Sequence, residues 1–268
     1  MGTAWSKAFL VSVIVGLAAG CVPPTADRAW VAGPAIDVAT HCRVPDGLME
    51  TRVSLPLTTA RLGAASPLVV VAVGSSSTAG AGASHPGASY PARLRDELAR
   101  RFPGTPITVT NRGVGGETAH RMIERFDSDV NALRPHLVIW QTGTNSALRG
   151  HDPAQFHREI ARGIRILRQT GADVILVAPQ FAPRFNDLPN RMAFVRVVDE
   201  VAGQADTVLF PRHAIMKYWI DSGRFDFKTM LSPDGLHLND LSYDCVAQLL
   251  AEQIETIVHL SDGVPSPR

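Results

Sequence analysis

The sequence predicts an α/β fold, a five-stranded parallel sheet with helices on both faces. The first reason is a set of continuous apolar runs rich in β-branched residues, which alternate too little to leave one face in water. They are Leu68–Val73, Ile107–Thr110, Leu137–Gln141, Val174–Ala178 and Thr207–Phe210. Runs of this kind suit strands buried on both faces, as parallel strands are. The second reason is that helical periods fill the gaps between them. After Asp152-Pro153, residues Phe156, Ile160 and Ile164 recur four apart on one face. Asp152 suits the N-cap, Pro153 the first helical position and Gln155 a capping box, and Gly171 can end the helix. Val246, Leu250, Ile254 and Val258 give the last helix the same spacing. Strictly alternating strands and helices imply right-handed crossovers within one domain.

Composition narrows the function. The chain has 268 residues, 45% hydrophobic and 19% charged, enough for a sizeable core. Its formal net charge of +1 argues against a nucleic-acid binder, which would carry a basic face. Lys7 is the only charge before an apolar run, Ala8–Ala19, that stops at Gly20-Cys21. That run is too short to span a bilayer and reads as a secretory signal over residues 1–20. Removing it takes one residue from the 26 basic ones and leaves 25 against 25 acidic, a neutral mature chain. Residues 21–66 are Pro-, Ala- and Thr-rich without a clear period, and are expected to form a tether and an irregular arm. The folded domain is then expected over 67–260, with a tail at 261–268.

Four polar patches carry the chemistry. Gly74-Ser75-Ser76-Ser77-Thr78 is a hydroxyl-rich turn after the first strand, where a serine nucleophile would have exposure and a neighbouring N–H. Asn111-Arg112-Gly113-Val114-Gly115-Gly116 is a glycine loop able to turn an N–H toward an oxyanion. Gly143-Thr144-Asn145-Ser146 offers an amide donor. Asp234-Gly235-Leu236-His237 puts a carboxylate three residues before an imidazole, which a tight turn can orient. None of the other eight histidines is expected to have such a partner. Each patch has a plainer reading alone, as a polar turn, a glycine loop, a loop cap or a chance Asp-x-x-His. No Gly-Lys-Ser/Thr follows the first patch, so a nucleotide loop is not indicated. Three of the patches follow strand C-termini, where α/β sheets form their sites.

In this order and spacing the patches resemble the signature blocks of the SGNH (GDSL-type) hydrolase family, over roughly Leu68 to Val258. The resemblance implies a flavodoxin-like three-layer α/β/α sandwich and esterase chemistry without metal or other cofactor. It implies Ser76 as nucleophile, His237 as base and Asp234 as orienting carboxylate. The oxyanion hole would be the N–H groups of Ser76 and Gly116 and the Asn145 side chain. Two positions depart from the family: Ser75 and Ser146 stand where relatives usually carry acids. Both losses remove negative charge near the site, so an altered base or substrate range is expected rather than lost activity.

The substrate expected is a small-molecule or carbohydrate ester, and Phe181, Arg184 and Trp219 are candidates either to line its pocket or simply to pack. Leu17-Ala18-Ala19-Gly20-Cys21 resembles a bacterial lipobox, implying a lipid-anchored Cys21 and membrane attachment at the cell envelope; plain signal cleavage is the alternative. Cys42 and Cys245 then remain, either a disulfide formed after export or two buried thiols. The sequence leaves the oligomeric state open.

Overall fold

In the computed structural model, residues 1–2 and 41–261 are described. The lipobox, Cys21 and the signal segment lie outside them, as does the tail from residue 262. The chain divides into two units, Met1–Ala35 and Ile36–Arg268, and the second carries the fold.

After helix α1 (Pro56–Gly63) comes strand β1 (Leu68–Gly74), then α2 (Ser76–Ala79), α3 (Tyr90–Arg101) and β2 (Ile107–Gly113). Helices α4 (Ala119–Glu124) and α5 (Phe126–Asp129) lead to β3 (Leu137–Gln141), α6 (Thr144–Leu148) and α7 (Pro153–Arg168). Strand β4 (Asp173–Val177) precedes α8 (Pro183–Asn186) and α9 (Arg191–Gln204). Last come β5 (Val208–Phe210), α10 (Arg212–Asp221), α11 (Phe227–Met230) and α12 (Asp240–Ser261). All pairings are parallel, in the order β2-β1-β3-β4-β5. This is the flavodoxin-like order, and the crevice between β1 and β3 is its switch point.

Alternate residues of each strand enter two separate cores. Leu68, Val70 and Ala72 of β1 pack with Leu94 and Leu98 of α3, Met216 of α10, and Leu250 and Ile254 of α12. Val71 and Val73 face Met122 of α4, Phe126 of α5, Ile160 of α7 and Phe194 of α9. Burying one such Leu, Ile or Phe side chain contributes about 1.5–3 kcal/mol, so the two cores hold the three layers together. Asp152 caps α7, accepting from the N–H groups of Ala154 and Gln155. Gln155 does not complete a capping box; its side chain donates to Glu159 instead.

Part of the arm differs from expectation. Residues 56–63 form a helix that was expected to be irregular, and Leu55 and Leu62 enter the core. The helix buries only Thr58 and Leu62, too few positions to show a period in sequence. Trp219 is a packing residue and not a pocket wall: its indole is fully buried and donates to the Cys42 carbonyl at 3.0 Å. Cys42 and Cys245 are joined in a disulfide, with Cα atoms 5.0 Å apart across 203 residues of sequence. It ties the start of the arm to α12.

A bridge closing so long a loop constrains the unfolded chain strongly. Replacing Cys42 and Cys245 with serine should cost about 2–5 kcal/mol, read as a lower midpoint in denaturant titration. An unchanged midpoint would mean that the bridge contributes nothing.

Candidate active site

The turn from Ser232 to Asn239 is folded largely by one carboxylate. Asp234 Oδ1 accepts from the Ser232 hydroxyl at 2.8 Å and from the N–H groups of Leu236 and His237, both at 2.9 Å. Its other oxygen, Oδ2, faces His237 Nδ1 at 2.5 Å. Burial raises the Asp234 pKa. The His237 N–H, the His237 ring, the Leu236 N–H and the Ser232 hydroxyl outweigh it and hold the carboxyl well below the usual range. Asp234 therefore stays ionised and accepts from His237 Nδ1. Nε2 is left to accept from the Ser76 hydroxyl, 2.7 Å away and 161 residues distant in sequence.

Ser76 is half-buried and opens α2 directly after β1. As the first helical residue it has no carbonyl four residues back for its N–H, which is left free to meet an oxyanion. The turn is pinned from below by Gln141, the last residue of β3. Gln141 Oε1 accepts from the Ser75 N–H and hydroxyl, each at 3.0 Å, and from Thr78 Oγ1 at 3.3 Å. Ser75, standing where the family usually has an acid, is thus a buried donor to an amide oxygen. Ser146, at the second departure, is fully buried, and its hydroxyl has no hydrogen-bond partner among the described residues.

The loop after β2 is drawn against the same turn. Gly74 and Gly113 are register partners, the Val114 N–H donates to Gly74 O at 3.0 Å, and Asn111 Nδ2 donates to Thr78 O at 2.7 Å. A Cβ on Gly113 would lie 2.1 Å from the Ala79 backbone nitrogen, so only glycine allows this approach. Gly116 sits at φ +78°, in the left-handed region that glycine adopts without strain. Asn145 Nδ2 donates to the Glu117 carbonyl at 3.0 Å, which places the amide beside Gly116 and leaves its second N–H available. Arg149, one helical turn on, donates to Gly116 O at 2.8 Å.

Arg125 was not anticipated. It pairs with Glu117 and Asp129 and donates to the carbonyls of Gly74 and Arg112 at 3.3 and 2.9 Å, clasping the ends of β1 and β2. Its partners lie 4 to 51 residues away, and no local pattern marks it. One sequence expectation fails: His120 does have carboxylate partners, Glu124 at 3.4 Å and Glu159 at 3.9 Å. They lie on α4 and α7, and no serine among the described residues is bonded to His120. Phe181 is half-buried; with Met192, Val195, Leu209 and His213 it lines a groove of about 420 Å³ at the β5 edge. Arg184 is exposed on α8.

Ser76 can thus pass its hydroxyl proton to His237, whose ring the Asp234 carboxylate holds in orientation. This sheet order, with such a site at its switch point, defines the SGNH class of ester hydrolases. The chain belongs to the Non-GDSL lipase-like family, whose model matches residues 41–260, and it is a hydrolase of ester bonds. The family description accords with a first block reading Gly-Ser-Ser-Ser. The chain is similar to an arylesterase of Vibrio mimicus, 24% identical over 62% of this chain and 78% of the relative. It is also similar to the esterase TesA of Pseudomonas aeruginosa, 30% identical over 54% of this chain and 65% of that one. Among solved structures it resembles a two-domain esterase active on acetylated mannans, with a TM-score of 0.65 and 22% identity over 81% of this chain. It spans 57% of that two-domain protein and just under two thirds of the Pseudomonas relative.

Two outcomes follow. Gly113→Ala must push the α2 turn away from β2, and a displacement of this size should lower kcat by about a hundredfold; wild-type turnover in the folded variant would contradict the close approach. A depressed carboxyl stabilises the fold above its unfolded pKa, near 3.9, and the benefit fades as pH falls below that value. The Tm gap between wild type and Asp234→Asn should therefore be widest above about pH 4 and narrow below it. A gap independent of pH would rule out the charged form as its source.

Proposed function

We propose that this protein is an exported serine esterase in which Ser76 is the nucleophile, His237 the general base and Asp234 its orienting acid. The observation that carries the reading is the His237 ring, bonded through one nitrogen to Ser76 and through the other to an ionised carboxylate. The Ser76 proton passes to His237 Nε2 as Oγ attacks the ester carbonyl carbon. The resulting oxyanion is held by the N–H groups of Ser76 and Gly116 and by the Asn145 amide. The tetrahedral carbon then expels the alcohol, which takes the proton from His237, and leaves an acyl group on Ser76. Water, deprotonated by His237, attacks that acyl group and releases the acid and the free serine.

A second reading concerns the substrate. The resemblance to an esterase active on acetylated mannans favours acetyl groups on carbohydrate, with water or another sugar as acceptor. Export rests on the apolar segment before Cys21 and on the Cys42–Cys245 bridge, which suits an oxidising compartment. Attachment to the membrane rests on acylation of Cys21 alone. No helix among the described residues is long and apolar enough to cross a membrane.

The test is a panel of p-nitrophenyl esters of increasing acyl length run beside acetylated oligosaccharides, with wild type and Ser76→Ala. Ester cleavage should fall by about a millionfold in Ser76→Ala, and Asn145→Ala should lose on the order of a hundredfold in kcat. Full turnover by Ser76→Ala would sink the mechanism. Acetyl appearing on a second sugar rather than as free acetate would make the enzyme a transferase.

A further inference from the structure

Beneath the site lies a buried cation that the proposed mechanism does not use. Arg212, at the start of α10, is 1% exposed. Its Nε donates to Ala178 O at 3.0 Å and its Nη2 to Gln180 Oε1 at 2.9 Å, both neutral oxygens. Burial pulls its pKa down to about 10, and the groups favouring its charge are the Tyr243 and Tyr90 hydroxyls, not a carboxylate. It is therefore still charged at neutral pH. A buried charge without an opposite partner is costly, and such costs gather where a site must be organised.

Gln180 shows what the cation holds. It is 2% exposed and lies just past β4. Its Oε1 also accepts from the Thr144 hydroxyl at 2.8 Å, and its Nε2 lies 3.5 Å from Leu236 O. A guanidinium only donates, so Arg212 fixes which end of the amide is oxygen. That end takes the Thr144 hydroxyl, and the nitrogen end is turned toward the catalytic turn. Thr144 immediately precedes Asn145, and Leu236 immediately precedes His237. One amide thus touches the neighbour of the oxyanion donor and the neighbour of the base.

We propose that Gln180, locked in orientation by Arg212, is a positioning residue that holds the Asn145 turn and the His237 turn in register on either side of Ser76. This rests on the Ser76–His237 reading above. Gln180 touches no reacting atom, so its loss acts on the alignment of donor and base, which matters at the transition state. The effect should fall on kcat and spare KM.

The test uses Thr144→Val, which keeps shape and removes one hydroxyl, and Gln180→Leu, which keeps bulk and removes both polar ends. Kinetics are measured on a p-nitrophenyl ester that the wild type hydrolyses and Ser76→Ala does not. That control separates failure of the site reading from failure of this inference. Each variant should lose about tenfold in kcat with KM changed less than twofold. The double variant should be no slower than Gln180→Leu alone, because both changes break one linkage. Wild-type kcat in folded Thr144→Val, an effect confined to KM, or additive losses would each overturn the proposal. Should Gln180→Leu fail to fold, Thr144→Val alone decides the matter.

Discussion

Asp234 has two oxygens and the site needs both. One oxygen gathers the Ser232 hydroxyl and two backbone N–H groups, and so folds the turn on which His237 sits. The other orients the imidazole. The carboxylate cannot do the second without the first, because the ring reaches Ser76 only from a turn of this shape. Its ionisation is secured by the same N–H groups that it organises, so local folding and the charge facing His237 have one origin. The turn is partly exposed, and its geometry comes from these bonds more than from packing.

The remaining parts are placed by the sheet. A parallel sheet ordered 2-1-3-4-5 sends the chain away from β1 in both directions, which opens a crevice at the carboxyl ends of β1 and β3. Ser76 follows β1, Gly116 follows β2 and Asn145 follows β3, so three distant segments arrive side by side. Close contact is then enforced by small things: Gly113 lets β2 approach α2, and Arg125 binds the Gly74 and Arg112 carbonyls together. Below them lie Gln141, the last residue of β3, and Gln180, just past the end of β4. Each is a buried amide whose oxygen collects donors from a neighbouring loop.

Much of this was legible in the sequence because it is local or periodic. The five strands lie within a residue or a few of the apolar runs, and Asp234 and His237 are bonded across three positions. The first helix was missed because Pro56–Gly63 buries only two residues and shows no period. Gln155 was misjudged because Glu159 offered its side chain a closer partner. Arg125, Gln180 and Arg212 left no signal: Arg125 joins groups scattered from 4 to 51 residues away, the partners of Gln180 and Arg212 lie tens of residues away, and a polar residue near a strand end reads as a cap. The two family departures also change meaning in three dimensions. Ser75 becomes a donor to Gln141, whereas Ser146 is buried with its hydroxyl unpaired, and nothing in the structure explains its presence there.

In the proposed mechanism Ser76, the serine that His237 contacts, is the nucleophile. Ser75, Ser77 and Ser76 are consecutive, and a fluorophosphonate reagent distinguishes them directly. After labelling the wild type and His237→Ala, peptide mapping by mass spectrometry should find one phosphonyl group, on Ser76, and none in the variant. A label on Ser75 or Ser77, or equal labelling of Ser76 without His237, would contradict it.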